Sequence, residues 1–519
     1  MGRNNSLSSA KIVILMMFFT LFTKFAGFIR EMLLGQKFGT SYETDAYIIA
    51  LTVPTVIFSS ILAAITTTYI PIYTKIKNKS GLKRANYFTS NLLSLITLIS
   101  FILIVVGICS SELIVKVIGR GLSNEALELA NSLTKISLFM LIFLGIISIL
   151  TVYLQAESKF IIPAFINIPI ITVVIIALSF GNYIGIKGVM FSNIIGSLIQ
   201  VLILIIAVYR IGYKFKPTFD IKDKNIKEMI TLVVPVLIGT SIQQINFLID
   251  RMLASSLGEG IISALTFGSK INEMFFGLIS VTIATFIFPQ LSQLAANKSM
   301  KEYDKLVRTS LNTVSILVFP VVFIVLSYST NIVKILFERG AFDQTSTTIT
   351  SNALFYYSIG MLFFGFRDVL NRSFYSLGDT KTPMKNSIIG FISNIVMSIT
   401  LMNFMGYKGI ALATSLAGVI TTLLLFTSFS KKVKEFKYKL FFIDQLKVFL
   451  ASVIMIVISL GIYNWAESLL QDTIINNILF LAISIILGAI VYILILMALK
   501  LEEITLLINK ITNKIRYKS

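Results

Sequence analysis

The sequence has no histidine, one cysteine and 9 prolines in 519 residues, and only 13% of its residues are charged. Each shortage excludes something. Without histidine the chain lacks the commonest metal ligand and the side chain that titrates near neutral pH. Cys109 stands alone in an apolar run, so no intrachain disulfide can form and the redox compartment stays open. Few charges and a mean hydropathy of +0.87 exclude an ordinary soluble domain. The G-x-x-x-x-G-K-[ST] loop that cradles nucleotide phosphates is missing, and no polar stretch is long enough to house a nucleotide-binding domain. No nucleophile–base set is legible either. The chain is therefore expected not to be an enzyme and to carry no cofactor or metal.

What the sequence does have is apolar length. Runs of the roughly 20 apolar residues that cross a bilayer recur from end to end. The two-residue alternation of a membrane barrel is absent, which leaves an all-α polytopic membrane protein. Apolar length and polar breaks place about fourteen transmembrane helices near 11–36, 46–74, 88–111, 132–156, 161–181, 184–211, 229–256, 261–294, 309–336, 348–377, 384–404, 408–430, 442–468 and 474–499. The first run has basic residues ahead of it but no small-residue cleavage site, and Lys24 and Arg30 interrupt it. It is expected to be a retained helix and not a signal peptide.

The formal charge is +20, from 45 Lys and Arg against 25 Asp and Glu. Its distribution argues against nucleic acid. The loops alternate. One set is basic: TKIKNKSGLKRAN (74–86), YKFKPTFDIKDKNIK (213–227), NKSMKEYDKLVR (297–308), SKKVKEFKYK (430–439) and the tail KITNKIRYKS (510–519). The other set is nearly free of Lys and Arg: GTSYETD (39–45), GEG (258–260), FERGAFDQTS (337–346) and ESLLQD (467–472). The positive-inside rule puts the basic loops and both termini in the cytoplasm, against anionic lipid.

The chain also repeats itself at an offset of about 220 residues. TTYIP (67–71) matches TFIFP (285–289), IGRGL (118–122) matches FERGAF (337–342), and ESKFIIP (157–163) matches LGDTKTP (377–383). Two copies of one six-helix unit follow: 1–212 and 229–431, joined by a basic cytoplasmic linker at 213–228. Residues 432–519 add helices 13 and 14 and a basic tail. Parallel repeats of this kind are a transporter signature, with the substrate site between the halves near the midplane.

Charged residues sit where a bilayer core should be. LFTKFAGFIREML (21–33) carries Lys24, Arg30 and Glu31 inside an apolar run. A cation at the bilayer centre costs at least ~2.5–3.5 kcal/mol on insertion scales. Lys24 lies about halfway along its helix, where snorkelling to either surface is difficult, and Glu31 falls on nearly the same face. Gly27 between them permits a bend or a close approach. The second half has counterparts: Gln243, Gln244, Asn246, Asp250 and Arg251 on helix 7, Lys270 and Glu273 on helix 8, and Arg367, Asp368 and Arg372 on helix 10. Two accounts stay open for these. Arg30–Glu31, Asp250–Arg251, Lys270–Glu273 and Arg367–Asp368 are spaced to be local ion pairs that lock helices together, and Arg372 is placed as an interface anchor. Alternatively the cations line an aqueous cavity, where Lys and Arg suit a phosphate-bearing substrate. Lys24 has the weakest claim to a partner and the strongest to a substrate.

TKFAGFIREMLLGQKFGTSYETDAYIIALTVP (23–54) resembles the opening of the MurJ/MviN family, the lipid II flippases. AITTTYIP (64–71), TFGSKINEMFFGLISVTIATFIFPQLSQLA (266–295), LFERGAFD (336–343) and NRSFYSLGDTKTP (371–383) resemble it too, in order, across helices 1–12. The resemblance implies the fourteen-helix fold of the multidrug/oligosaccharidyl-lipid/polysaccharide exporter superfamily in the bacterial cytoplasmic membrane. It implies a substrate, undecaprenyl-diphosphate bearing the peptidoglycan precursor, and a role in cell-wall biogenesis and cell shape alongside cell-wall synthesis proteins. The family's substrate-binding cations fall on Lys24, Arg30 and Lys270, and its acid on Glu31. Asp250, Arg251, Glu273, Arg367 and Asp368 are the candidates for gating or ion coupling. There are departures. Phe58 stands where many members have an arginine on helix 2, and Ala63 and Ala64 replace an acidic–glycine pair. Asn386 and Asn394 on helix 11 come with no carboxylate, which puts a sodium site on the family's pattern in doubt. Helices 13 and 14 are expected to form a groove for the lipid tail, although plain packing fits their composition equally. An exporter of another polyprenyl-linked oligosaccharide, and a membrane scaffold that only binds such lipids, are the rival readings.

Overall fold

Backbone groups that cannot bond to lipid must bond within the chain, and the described residues do so with helices and no strand. The computed structural model describes the backbone of residues 2–433, 436–469, 473–501 and 503–504. The side chains of 2–14, 57, 238–239, 242–243, 278–286 and 474 lie outside the described residues, as do the tail KITNKIRYKS and the Gln243 side chain.

The helices run in the order α1 (Gly2–Phe38), α2 (Tyr42–Ile118), α3 (Asn124–Ser137), α4 (Met140–Ala156), α5 (Ile161–Phe165), α6 (Ile168–Ser179), α7 (Gly181–Arg210), α8 (Lys224–Ser255), α9 (Ile261–Ala296), α10 (Met300–Phe337), α11 (Gln344–Ser358), α12 (Met361–Ser376), α13 (Lys381–Met405), α14 (Tyr407–Lys432), α15 (Tyr438–Leu469) and α16 (Ile474–Ala498). With 77 residues, α2 is roughly 115 Å long at 1.5 Å per residue, about four times the hydrocarbon core. It is two rods broken at Gly81, whose φ of 79° suits only glycine, inside the basic loop 74–86. Among the described residues eight helices are long and apolar enough to cross a membrane, or ten when two bent pairs count as spans. Those pairs, α3 with α4 and α11 with α12, bend by 41° inside runs expected to be single helices. At the second bend the Gly360 amide is shared between the Tyr357 carbonyl at 3.3 Å and Ser415 Oγ at 3.0 Å.

The chain divides into two units. Unit 1 holds Met1–Ala264 with Arg339–Asp343, and unit 2 holds Leu265–Glu338 with Gln344–Ser519. In unit 1, α2 packs on α3, α4 and α8, and α1 packs on α5 and α6. Its basic-loop end is filled by the packed rings of Tyr69, Tyr73, Phe88, Tyr153 and Tyr213, stacked among the first three and edge-on or tilted at Tyr153. Glu157 accepts there from Tyr73 at 2.7 Å and Lys77 at 2.6 Å. In unit 2 a core of Leu311, Val318, Met361, Phe366, Leu425 and Phe441 joins α10, α12, α14 and α15. Helix α15 is fastened to α10 by polar bonds as well: Gln445 donates to Asn312 at 2.9 Å, and Asn331 donates to Tyr463 at 2.7 Å.

Candidate functional site

Helix α1 has two faces. At about 100° per residue, Thr20, Lys24, Gly27 and Glu31 fall within roughly 60° of one another. The exposed apolar side chains Phe18, Leu21, Phe22 and Phe25 cover another arc, a surface that suits hydrocarbon. Lys24 is exposed at the edge of the polar stripe and makes no ion pair among the described residues. Arg30, about 120° round the helix, is half-buried and bonds Glu31 at 2.5 Å, with the Glu31 side chain 9% exposed. Adjacent residues on a helix point apart, so this pair forms only because the guanidinium is long enough to reach back.

The remaining candidates divide between the units. Lys270 and Glu273 lie in unit 2 and pair at 2.7 Å with i,i+3 spacing, both well exposed at 39% and 57%. Arg367, also in unit 2, lies 5.1 Å over the Phe364 ring. Asp368 beside it is half-buried. In unit 1 Asp250 is half-buried, and Arg251 reaches the Ile262 carbonyl at 3.2 Å, in the first turn of α9. Phe58 is fully buried, and the room it fills is kept by Gly145. Asn386 and Asn394 hydrogen-bond Ser428 and Thr414, both on α14.

The first turn of α9 is gripped from a second side, by a residue that sequence reasoning passed over. Asp45, fully buried, accepts from the amides of Gly260 at 2.6 Å and Ser263 at 2.7 Å. A helix leaves its first four N–H groups without partners, and a carboxylate from another helix satisfies two of them here. In the sequence Asp45 looks like one more acid in a polar loop. Its signal is the fixed partner, and a partner 215 residues away is invisible in a linear reading.

Around this cap four glycines let backbones touch. A Cβ on Gly39 would stand 2.3 Å from the Ala341 carbonyl oxygen, and one on Gly340 would stand 2.3 Å from that of Gln36. One on Gly260 would meet Thr40 O at 2.6 Å, and one on Gly121 would meet Ser255 O at 2.5 Å. Two bonds hold these contacts, Ala341 N–H to Gln36 O at 2.9 Å and Ser255 Oγ to Ile118 O at 2.9 Å. The pattern is reciprocal. Gly121 and Gly340 occupy the same place in the repeated Arg-Gly motif. The first is pressed on the end of α8, and the second on the end of α1. All these residues lie in unit 1, which is why Arg339–Asp343 belongs to it.

Residues 34–484 match a protein-family model described as lipid II flippase MurJ. A protein of Buchnera aphidicola subsp. Baizongia pistaciae named "Probable lipid II flippase MurJ" is 30% identical over 463 residues, 86% of this chain and 88% of that relative. The lipid II flippase MurJ of Burkholderia cenocepacia is 24% identical over 424 residues, 80% of this chain and 82% of the relative. A solved structure of lipid II flippase MurJ in an inward closed conformation superimposes with a TM-score of 0.80 at 28% identity, covering 93% of this chain and 98% of that one. An inward-facing multidrug resistance transporter of the MATE family, in the MOP superfamily, superimposes with a TM-score of 0.65 at 14% identity, over 80% of this chain and 96% of that one. That last likeness is one of fold alone.

Proposed function

The chain belongs to the MurJ family of lipid II flippases, inner-membrane transporters of bacteria and not enzymes, and from that premise we propose that it moves the lipid-linked diphosphate by alternating access, with membrane cations as the handle. Lys24, Arg30 and Lys270 hold the diphosphate. Glu31 and Glu273 occupy two of these cations while no substrate is bound, and the diphosphate takes their place. The two six-helix repeats, 1–212 and 229–431, are the moving halves of a fourteen-span chain with both termini in the cytoplasm, and 213–228 joins them.

The observation that carries this is Lys24. It is a cation midway along an apolar helix, on a stripe with Thr20, Gly27 and Glu31, and it has no ion pair among the described residues. A cation kept there at a cost of at least ~2.5–3.5 kcal/mol, with no carboxylate to neutralise it, needs a partner that comes and goes. Bound diphosphate supplies the missing charge and lets the cavity close around it. The clasp of Asp45, Arg251 and the four glycines is the gate on the side away from the basic loops. It holds while substrate loads from the cytoplasmic leaflet and parts to release it.

The test is complementation of a strain depleted of its own lipid II flippase. Wild type restores growth. Lys24→Ala does not, at normal abundance in the membrane, and Lys24→Arg does. Growth with Lys24→Ala would remove the handle. Failure of the wild type would point to another polyprenyl-linked glycan, and the precursor that accumulates on depletion of the native protein identifies which.

A further inference from the structure

In unit 2 the chain turns back on itself after α16. Lys500 takes a φ of 50°, in the left-handed region. Leu501 then enters a core shared with Val448 and Met455 of α15 and Leu496 of α16. Two residues later comes Glu503, a carboxyl only 7% exposed for which the transport scheme has no use. The Tyr492 hydroxyl, donating to the Ile316 carbonyl at 2.9 Å, ties α16 to α10 on the same side.

Asn312 of α10, itself buried, is the hub of the cluster around Glu503. Its Nδ2 donates to Glu503 Oε1 at 3.0 Å and to Asp444 Oδ2 of α15 at 3.0 Å. An amide has two such hydrogens, and one goes to each acid. The two carboxylates therefore lie within two hydrogen bonds of each other. Arg308 reaches Asp444 at 3.5 Å, on that acid's side of the hub. The second oxygen of Glu503, Oε2, is buried and has no hydrogen-bond partner. Among the charged side chains of the surrounding elements, Arg308 of α10 and Asp444 of α15 act on Glu503. Helix α16 carries no charged residue, and Lys500 in the segment of Glu503 itself is exposed and makes no ion pair among the described residues. Two acids thus share one guanidinium, and the more deeply buried acid has an empty oxygen. An ionised carboxylate in that position is an uncompensated buried charge.

We propose that Glu503 is a proton-binding site that latches the end of α16 onto α10 and α15: it docks with a proton on its carboxyl and loosens when that proton leaves. A proton is favoured over a metal ion because the neutral oxygens of the cluster are spent. Asn312 Oδ1 accepts from Gln445 Nε2 at 2.9 Å, and Gln445 Oε1 accepts from Ser315 Oγ. A cation would find only the carboxylates, whereas a proton needs a single oxygen and leaves Oε1 bonded to Asn312. Burial is the largest cause holding the Glu503 carboxyl above the usual carboxylate range, and Asp444 adds to it, against Asn312 and Arg308. Asp444, less buried and beside Arg308, is the member that stays ionised. With the docked value raised, the latch is at full strength below the undocked value of about 4.3 and weakens as pH rises through the docked one. With the C-terminus in the cytoplasm, as proposed above, the grip of the last two helices on the second repeat follows cytoplasmic pH.

The test uses the full chain purified in mild detergent and titrated with pH. Infrared spectra follow the carbonyl band of protonated carboxyl groups, and thermal unfolding is read on the same samples. Glu503→Gln should delete one carboxyl whose proton is lost only above the ordinary glutamate value of about 4.3. Because glutamine stays neutral, wild type should lose thermal stability relative to this variant as pH rises through that titration. Asp444→Asn, which removes a like charge, should move the titration to lower pH. Asn312→Ala, which removes a donor that favours the ionised form, should move it higher. If Glu503→Gln does not accumulate, these two opposite shifts carry the test. An infrared band unchanged in Glu503→Gln, stability curves that stay parallel across pH, or a titration that neither neighbour moves would each overturn the proposal. So would stability that follows sodium, compared with N-methylglucamine as the sole cation, and ignores pH. None of these readings depends on transport, so the latch and the flippase scheme stand or fall separately.

Discussion

Gly39→Ala is the sharpest test of the gate. The residue sits at φ +63°, and a Cβ there would lie 2.3 Å from the Ala341 oxygen and 3.1 Å from its carbon. Left-handed backbone costs an L-residue roughly 1–2 kcal/mol. That strain persists whether or not 339–343 is docked, because Gly39 ends α1 in either case, so it cancels from the docking equilibrium. Two contributions do not cancel. Real Cβ atoms do not approach a carbonyl this closely, so the backbones must separate, at the ~1–3 kcal/mol of an overpacked contact. The Ala341 N–H to Gln36 bond at 2.9 Å goes with the contact, about 0.5–1.5 kcal/mol more. Together they shift docking by ~1.5–4.5 kcal/mol, about ten- to two-thousandfold. The assay is crosslinking between cysteines placed at Lys37 and Ala341, which line one small pocket, after the single native Cys109 is made serine. Gly39→Ala should lower the crosslink yield strongly and impair flipping. Gly27→Ala, whose Cβ meets nothing within 4 Å, should leave the yield unchanged. A Gly39→Ala protein of normal abundance with undiminished crosslinking would refute the argument.

Asp45→Asn removes the charge and one of two acceptors from the α9 cap, and it is expected to cost about 1–2 kcal/mol in thermal unfolding in detergent; an unchanged transition would take the carboxylate out of the gate. Asp379, in the GDTKTP motif, is held well below the usual carboxylate range by its hydrogen bond from Lys432 at 2.7 Å, helped by the Thr382 amide. Its folded pKa is depressed, so its stabilisation is complete above the unfolded value near 3.9 and is lost as pH falls further through the folded one. Acid titration of stability should flatten in Asp379→Asn, and an identical profile would exclude the pair. Glu273→Gln frees Lys270 from an exposed pair worth about 0.2–1 kcal/mol, so the affinity for undecaprenyl diphosphate should rise about 1.5- to 5-fold in a binding titration. Unchanged or weaker binding would show that Glu273 is no placeholder.

The membrane class and helical architecture were legible because hydropathy states them directly. So were the charges on α1, since a cation in an apolar run is conspicuous. Breaks inside spans were less legible. Gly81 announces itself within a basic loop, but at the Gly360 bend the amide is shared with Ser415, 55 residues away. The repeat was visible as motifs and not as mechanism. Only coordinates show that Gly121 and Gly340 are pressed against the ends of α8 and α1. Arg251 was expected beside Asp250 as a pair or a gate, and its bond to the Ile262 carbonyl links it to the helix that Asp45 caps. Long-range backbone contacts leave no periodic trace, so these residues read as ordinary loop and helix positions.

Charges in this chain fall into two kinds, and the difference separates what must stay from what must exchange. Asp45 and Arg251 bind backbone groups at the start of α9, and Asp45 is fully buried. Breaking the Asp45 contacts leaves the Gly260 and Ser263 amides unpaired where little water reaches them, at about 1–3 kcal/mol each. They suit a gate that holds firmly and parts as a unit. Among the described residues Lys270 and Glu273 pair with each other and are wet, and Arg30 pairs with Glu31. An exposed pair such as Lys270–Glu273 contributes about 0–1 kcal/mol, so on the proposed scheme a diphosphate would displace Glu273 at small cost and gain charge-assisted bonds of about 1.5–3 kcal/mol each. A transporter needs both kinds. Were its handles as firmly satisfied as its gate, substrate would find no cation to take. Were its gate held by exposed pairs, it would leak, because the binding of one diphosphate would be worth more than the contacts that keep the far side shut.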